Sequence, residues 1–418
     1  MDFSTEYTKE QEEFAKEVRA WLEESVPEDL AYLRDAQKMS YEQFQKYRDF
    51  ARKLGVKGWL YPTYPRQYGG GGLDGACAAV VRQELAEKRL GLPPVMDWTT
   101  LAAPAILACG TEEQKMRFLP AMLRGEALTW QLMTEPEAGT DEANQQTNAL
   151  RHTRDSNHFV VNGQKIFVGG LHPPPEQFYL LTRSDLEAPR HENLSSFICP
   201  ANLPGITIQP LDLFPLSTFA AVSGPSGANS EAVKHSVFFD DVRIHESCLI
   251  GKEGDGWNVT QATFAVEHGG RSQARGGAAL RTYGGTAPRN YIVDKFLAQC
   301  KSNPNIAKRL RGNAHLVDRV LDVYIFDQIG RLFALRNTGG KGGAYGGPHH
   351  ILYQKMGAGR ITADMAEVLG PYTFTDEGEQ CLDEGIFEVG QRCGICMAPG
   401  GTPEAMKIII SRALAIGR

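Results

Sequence analysis

Residues 128–141 read Leu128-Thr-Trp-Gln-Leu-Met-Thr-Glu-Pro-Glu-Ala-Gly-Thr-Asp141. Leu128 to Met133 is an apolar run that suits a buried strand, and Pro136 and Gly139 end it. Beyond the strand come backbone N–H groups and the hydroxyls of Thr134 and Thr140. Such donors suit a flat heteroaromatic ring or an anion. The same residues also describe an ordinary strand end followed by a turn. The flanking chain decides between the two.

Upstream, residues 1–126 carry helical periodicity. Thr8-Lys-Glu-Gln11 has capping-box form, and Phe14, Val18, Trp21 and Leu22 follow at helical spacing. Tyr41–Leu54, Ala76–Glu87, a segment with Leu101, Ala105 and Ile106, and a helix capped by Thr111-Glu-Glu-Gln114 continue the pattern. Downstream, residues 127–246 change period. Phe159–Val168 reads as two apolar runs around Asn162-Gly163, which predicts a hairpin. Further strands are expected at 178–182, 196–199, 206–211 and 236–239, with a loop over 213–233. The helical period returns over 247–418, with helices expected at Trp257–Arg275, His315–Arg336, Ile351–Leu369 and Glu404–Leu414. Residues 339–347 read as a glycine-rich linker, without the upstream Gly or the Ser/Thr of a phosphate loop. Helices, strands and then helices predict an α+β chain of segregated layers, not an alternating parallel-sheet fold.

Composition narrows the function. The 418 residues are 42% hydrophobic and 22% charged, which is globular composition. A net charge of -6 gives no basic footprint for nucleic acid. The sequence contains no apolar run of membrane-spanning length. Its N-terminus, Met1-Asp-Phe-Ser-Thr-Glu, is acidic and lacks a leader's apolar core, so a cytoplasmic location is expected. Eight cysteines are too few for a disulfide scaffold. Cys393 and Cys396 form a close pair without further ligands at finger spacing, so they read as packing thiols and no metal site is expected.

The chain resembles the acyl-CoA dehydrogenase family over nearly its whole length. The motifs come in the family's order: Tyr68-Gly-Gly-Gly-Gly72, Gly110-Thr-Glu-Glu-Gln-Lys115, Phe118-Leu-Pro120, Gly125-Glu126, Thr134–Asp141, Val161-Asn-Gly-Gln-Lys165, Phe239-Asp-Asp-Val242, Leu249–Trp257 and Gly400-Gly-Thr402. The resemblance implies an N-terminal helical domain (1–126), a middle β-barrel-like domain (127–246) and a C-terminal four-helix bundle domain (247–418). It implies FAD, an acyl-CoA substrate, and an electron-transfer flavoprotein as acceptor. It also implies a homotetramer or dimer of dimers, with a heteromer as the alternative. The family's reaction is α,β-dehydrogenation: a carboxylate takes the α-proton while the β-carbon gives a hydride to flavin N5.

Carried over by position, Met133 and Thr134 match flavin-contacting residues. Thr140 stands where Ser is usual and offers a hydroxyl toward FAD or CoA. Phe167, Val168 and Gly169 match the flavin-facing wall, where Trp followed by a hydroxyl residue is usual; Phe167 also reads as a core strand residue. Gly370 matches a cofactor-contacting glycine, and Thr402 and Glu404 lie near the adenine side. Many relatives place the base in a C-terminal Tyr-Glu-Gly-Thr motif, but Gly400 occupies that carboxylate's position here. A minority, including the isovaleryl- and long-chain types, place it in a Glu-Arg pair after the Glu-Gly-x-Gly-Trp segment. Glu267-His268 matches that pair, with Phe264, His268, Arg271 and Gly400 as substrate neighbours. The plainer reading of Glu267 is a helix-surface carboxylate paired at i,i+4 with Arg271. A small Gly400 and Gly169 leave room for a branched, cyclic or aryl acyl group. Two other functions stay open, a flavin oxidase or monooxygenase and a non-catalytic subunit of a heteromeric complex.

Overall fold

The computed structural model describes residues 8–28, 30, 39–88, 99–213, 233–267, 291–338, 346–375, 377–394 and 401–416. The N-terminal helices are α1 (Lys9–Ser25), α2 (Tyr41–Lys57), α3 (Gly75–Glu87), α4 (Thr99–Cys109) and α5 (Glu112–Leu123). Thr8 with Gln11 forms the expected capping box, and Ser40 with Gln43 and Thr111 with Gln114 repeat it. Each reciprocal pair satisfies donors that a helix start leaves orphaned. The apolar stripes of these helices meet in one core that includes Val18, Leu22, Phe50, Leu54, Leu85, Ile106 and Leu119.

Among the described residues, the middle of the chain forms an eight-stranded mixed sheet. Its strands are β1 (Thr129–Leu132), β2 (Asn148–His152), β3 (Asp155–Gly169), β4 (Gln177–Arg183), β5 (Leu194–Pro200), β6 (Ile206–Leu211), β7 (Lys234–His245) and β8 (Leu249–Ile250). The order is β6-β7-β3-β2-β4-β5-β8, and β1 pairs in parallel with β4. Trp130, Leu132, Phe159, Val161, Phe178 and Phe197 fill a second core against it. The strands expected at 178–182, 196–199, 206–211 and 236–239 all lie inside observed ones. Residues 214–232 of the expected loop lie outside the described residues.

The hairpin expected at Asn162-Gly163 does not form. Both residues lie inside the 15-residue strand β3. Their turn-forming chemistry is used by the neighbouring strand instead. Asn162 Oδ1 accepts the Asp241 N–H at 2.9 Å, and Asn162 Nδ2 donates to Asp241 Oδ1 at 3.0 Å. Asp241 has φ +48° at a register shift of β7 opposite Asn162-Gly163. The glycine fits because a Cβ at Gly163 would lie 2.6 Å from Thr147 Cα.

Among the described residues, the remaining α-helices are α6 (Gly256–Glu267), α7 (Tyr291–Ser302), α8 (Pro304–Leu310), α9 (Ala314–Thr338), α10 (Gly346–Leu369), α11 (Ile386–Gly394) and α12 (Pro403–Ala413). Helix α6 packs on α4 and β5, and its Val259 joins the N-terminal core. The expected extension of α6 to Arg275 lies outside the described residues. Ile292, Phe296, Val323, Met365, Val368 and Phe387 form a third core among α7 to α11. Gly346 and Gly347, expected in the linker, are instead the first residues of α10. Among the described residues, no helix is long and apolar enough to cross a membrane.

Candidate active site

Strand β1 delivers Met133 and Thr134 to the edge of the sheet, where buried Lys165 of β3 meets them. Lys165 Nζ donates to the Met133 carbonyl at 3.0 Å, to Glu135 Oε1 at 2.7 Å and to Gln145 Oε1. Glu135 is also buried, and its carboxylate accepts the backbone N–H groups of Gln146 and Thr147 at 2.6 and 3.1 Å. A carboxylate so fully bonded holds the turn together and is not available as a base. Burial draws the Lys165 amine below its ordinary range, and Glu135 opposes that shift. Gln145 closes the network by donating to the Met133 carbonyl at 3.2 Å.

The next residues of β3 make an aromatic shelf. The Ile166 N–H bonds the Thr134 carbonyl at 2.9 Å and stitches the turn to the strand. Strand alternation would point Phe167 to the same face as Lys165. The register shifts between Lys165 and Val168, and Phe167 has φ +57°. One extra residue on β3 therefore turns the phenyl outward. Phe167 is 51% exposed, whereas Val168 drops back into the sheet's core. Gly169 ends the strand, and Gly170 passes so close to the Trp130 indole that a Cβ would collide with it.

Helix α6 brings Glu267. One turn before it, buried Thr263 bonds the Tyr179 hydroxyl of β4 at 2.9 Å and donates to the Leu101 carbonyl at 3.2 Å. Tyr179 pairs in turn with Gln131 of β1. Glu267 is half-buried at the end of the helix. Its charge acts on two groups, raising the proton affinity of Tyr179 and of Glu142. Glu142 is pushed up to about 8, first by burial and then by Glu267, Glu135 and Asp141, with Lys165 opposing. Phe264 meets the Trp257 ring edge-on at 6.4 Å, and Trp257 stacks on His191 at 4.4 Å. The neighbouring Arg190 forms an ion pair with Asp141. The β4–β5 connection is thereby tied to both the start of α6 and the end of the 128–141 stretch.

The expected residues fall in different parts of the fold. Met133, Thr134 and Phe167 share one sheet edge, and Glu267 reaches it electrostatically through Glu142. Thr140 is exposed on the turn. Gly370, Thr402 and Glu404 belong to the C-terminal helices. Gly370 takes φ +65° beneath Arg309, Thr402 caps α12 by accepting the Ala405 N–H at 3.2 Å, and Glu404 lies 3.7 Å from Lys407. His268, Arg271, Gly400, Cys396 and the Cys393 side chain lie outside the described residues. Gln145 and Glu142 belong to no motif or periodic pattern, and Lys165 figures in the sequence only as the last residue of the Val161–Lys165 motif. A signal for Lys165 was present: it shares the inward parity of Phe159 and Val161 on one strand.

Two family models match the chain, the acyl-CoA dehydrogenase N-terminal domain over residues 8–126 and the middle domain over residues 131–218. The chain belongs to the acyl-CoA dehydrogenase family. It is 30% identical over 262 residues to acyl-CoA dehydrogenase IpdE1 of Mycobacterium tuberculosis, covering 62% of this chain and 63% of that one. It is 34% identical over 213 residues to acyl-CoA dehydrogenase FadE29 of the same organism, covering 51% of this chain and 50% of the relative. The chain thus matches less than two thirds of either relative's length. The ChsE4-ChsE5 complex from Mycobacterium tuberculosis shares the fold, with a TM-score of 0.73, 22% identity and all of both chains covered.

The family resemblance implies FAD, and PigA, whose structure holds FAD and proline, shares the fold with a TM-score of 0.71 at 19% identity. The local structure fits a flavin. An exposed phenyl beside a half-buried threonine hydroxyl gives an apolar face and a rim donor to a flat polar-edged ring.

Proposed function

We propose that the chain catalyses α,β-dehydrogenation of an acyl-CoA thioester with a branched, cyclic or aryl-substituted acyl group, and that Glu267 is the α-proton base. The observation that carries this is the placement of Glu267 at the end of α6, fixed through Thr263 and Tyr179 to the strand beside β1. From there its charge reaches Glu142, next to the Thr134–Asp141 turn. Glu135, the other buried carboxylate of that turn, is saturated by Lys165 and two backbone N–H groups.

In this reading Met133, Thr134 and Phe167 hold and orient the flavin ring. Bound there, FAD would supply the hydride acceptor for the β-carbon. Glu267 takes the α-proton, which is acidic enough to leave only when base and carbonyl polarisation act together. The Thr140 hydroxyl contacts cofactor or CoA. The bulky acyl group is supported by Gly400, which stands where other relatives carry a carboxylate. An electron-transfer flavoprotein reoxidises the chain, which works within a homotetramer or a heteromeric assembly.

Anaerobic mixing of the FAD-loaded protein with butyryl-, isovaleryl-, cyclohexanecarbonyl- and phenylpropionyl-CoA tests this. The flavin should bleach, fastest with a bulky acyl group. Glu267→Gln should slow bleaching by about 100-fold or more. If no acyl-CoA bleaches the flavin, the dehydrogenase reading fails; full-speed bleaching by the Gln variant removes only the base assignment. Rapid oxygen consumption by the reduced protein would favour an oxidase.

A further inference from the structure

We propose that the stacked rings of Trp130 and His235 are a positioning pair for the flavin, a clasp that sets the gap between the Thr134 rim and the outward ring of Phe167. This rests on the reading of Met133, Thr134 and Phe167 as the flavin's seat. Trp130 stands on β1, which leads to that rim, and His235 stands on β7. Along the sheet, the path from β1 to β7 runs through β4, β2 and β3. In a flat sheet those strand spacings would hold the two strands roughly 19 Å apart. Side chains stand roughly perpendicular to a sheet, so in a flat one these two could not meet. Their rings instead stack at 4.8 Å between centroids, with the planes 24° apart. The sheet curls until β1 and β7 face each other across its core, and the ring pair spans them.

His235 pairs in register with Val168, the residue after Phe167, and the register of β3 on β7 shifts between Lys165 and Val168. The imidazole therefore stands where the strand recovers from the extra residue that turns Phe167 outward. Just beyond, the Gly170 backbone lies against the indole, and a Cβ there would come within 1.9 Å of Trp130 Cε2. On the seat side, the Ile166 N–H bonds the Thr134 carbonyl at 2.9 Å. A main-chain bond in front and a ring stack behind thus tie the shelf to the rim. Both rings are buried, and Trp130 Nε1 and His235 Nδ1 have no hydrogen-bond partner among the described residues. Buried polar atoms without partners cost stability that two apolar side chains would not. What the rings contribute instead is flat, rigid thickness with a preferred stacking geometry, which fixes a spacing between strands.

FAD titration of the apoprotein, followed by flavin fluorescence and visible circular dichroism, tests this without turnover. His235→Ala removes one ring of the stack and should raise the Kd for FAD by about 3- to 10-fold. It should also alter the circular dichroism of the bound flavin. His235→Phe keeps a flat ring and should restore both. His235→Leu fills the volume without a flat ring, so it should behave as His235→Ala does, and it decides the matter where the alanine variant does not fold. The effects of His235→Leu and Phe167→Ala on Kd should be non-additive, because the clasp acts through the shelf. A general loss of stability would leave them additive. Parent-like affinity in His235→Leu, a phenylalanine variant as weak as the leucine one, or additive effects would each overturn the proposal. Where Phe167→Ala weakens FAD binding and His235→Leu does not, the clasp alone fails. Where neither does, the reading of the flavin's seat fails with it.

Discussion

Lys165 Nζ lies 2.7 Å from Glu135 Oε1, and both side chains are closed to water, at 0% and 2% exposure. A pair this deep is held by its hydrogen bonds as much as by charge. Removing one member leaves the other as an uncompensated buried ion, at a cost of about 3–5 kcal/mol. Lys165→Met should therefore lower the urea midpoint strongly, and Lys165→Met with Glu135→Gln should recover part of the loss. An unchanged midpoint in the single variant would show that the pair does not brace the turn.

Phe167 should affect the cofactor more than the fold. Its ring is half exposed, so Phe167→Ala should change apoprotein stability by no more than about 0.5 kcal/mol. Loss of ring stacking should weaken FAD binding by about 0.5–1.5 kcal/mol, a several-fold change in Kd. Flavin fluorescence titration reads this directly. Equal affinity in parent and variant would remove Phe167 from the cofactor wall.

His235 should give the protein an acid-sensitive limb. The ring is buried, stacks on Trp130 at 4.8 Å, and is pushed down to about 4 from 6.5, chiefly by burial. The folded state thus binds its proton less readily than the unfolded state. The stability it contributes is fully present above pH 6.5 and is lost as pH falls toward 4. The full loss is at most about 3 kcal/mol. His235→Phe keeps a ring and removes the proton site, so its melting temperature should fall less between pH 6.5 and 4. Parallel melting curves for parent and variant would contradict this.

Gly170→Ala should be costly because a methyl group there runs into the Trp130 indole. Overpacking of this kind costs about 1–3 kcal/mol or more. Trp130 lies three residues before Met133, so the variant should also hold FAD less tightly. Thermal melting with and without added FAD separates the two effects. A variant as stable as the parent would mean that the indole can move aside.

Periodicity made most of the architecture readable, since helix faces and alternating strands follow directly from where apolar side chains recur. The Asn162-Gly163 hairpin misled because turn chemistry is local while its use is not: Asn162 bonds Asp241 on another strand. Glu267 could be singled out from its motif. That Glu142 feels its charge depends on α6 packing beside β4, a contact between residues far apart in sequence. The bonds of Lys165 and Gln145 are not legible in the sequence, because a polar side chain on an inward position declares its partners only when the third dimension supplies them.

The bulge at Phe167 also bears on how such a site can change by descent. A single supernumerary residue on β3 separates a strand end with an outward aromatic ring from one whose side chains all obey alternation. Deletion of that residue would draw the ring toward the interior without altering the composition on either side. Insertions and deletions at this point, more than substitutions, would decide whether the ring faces outward or inward.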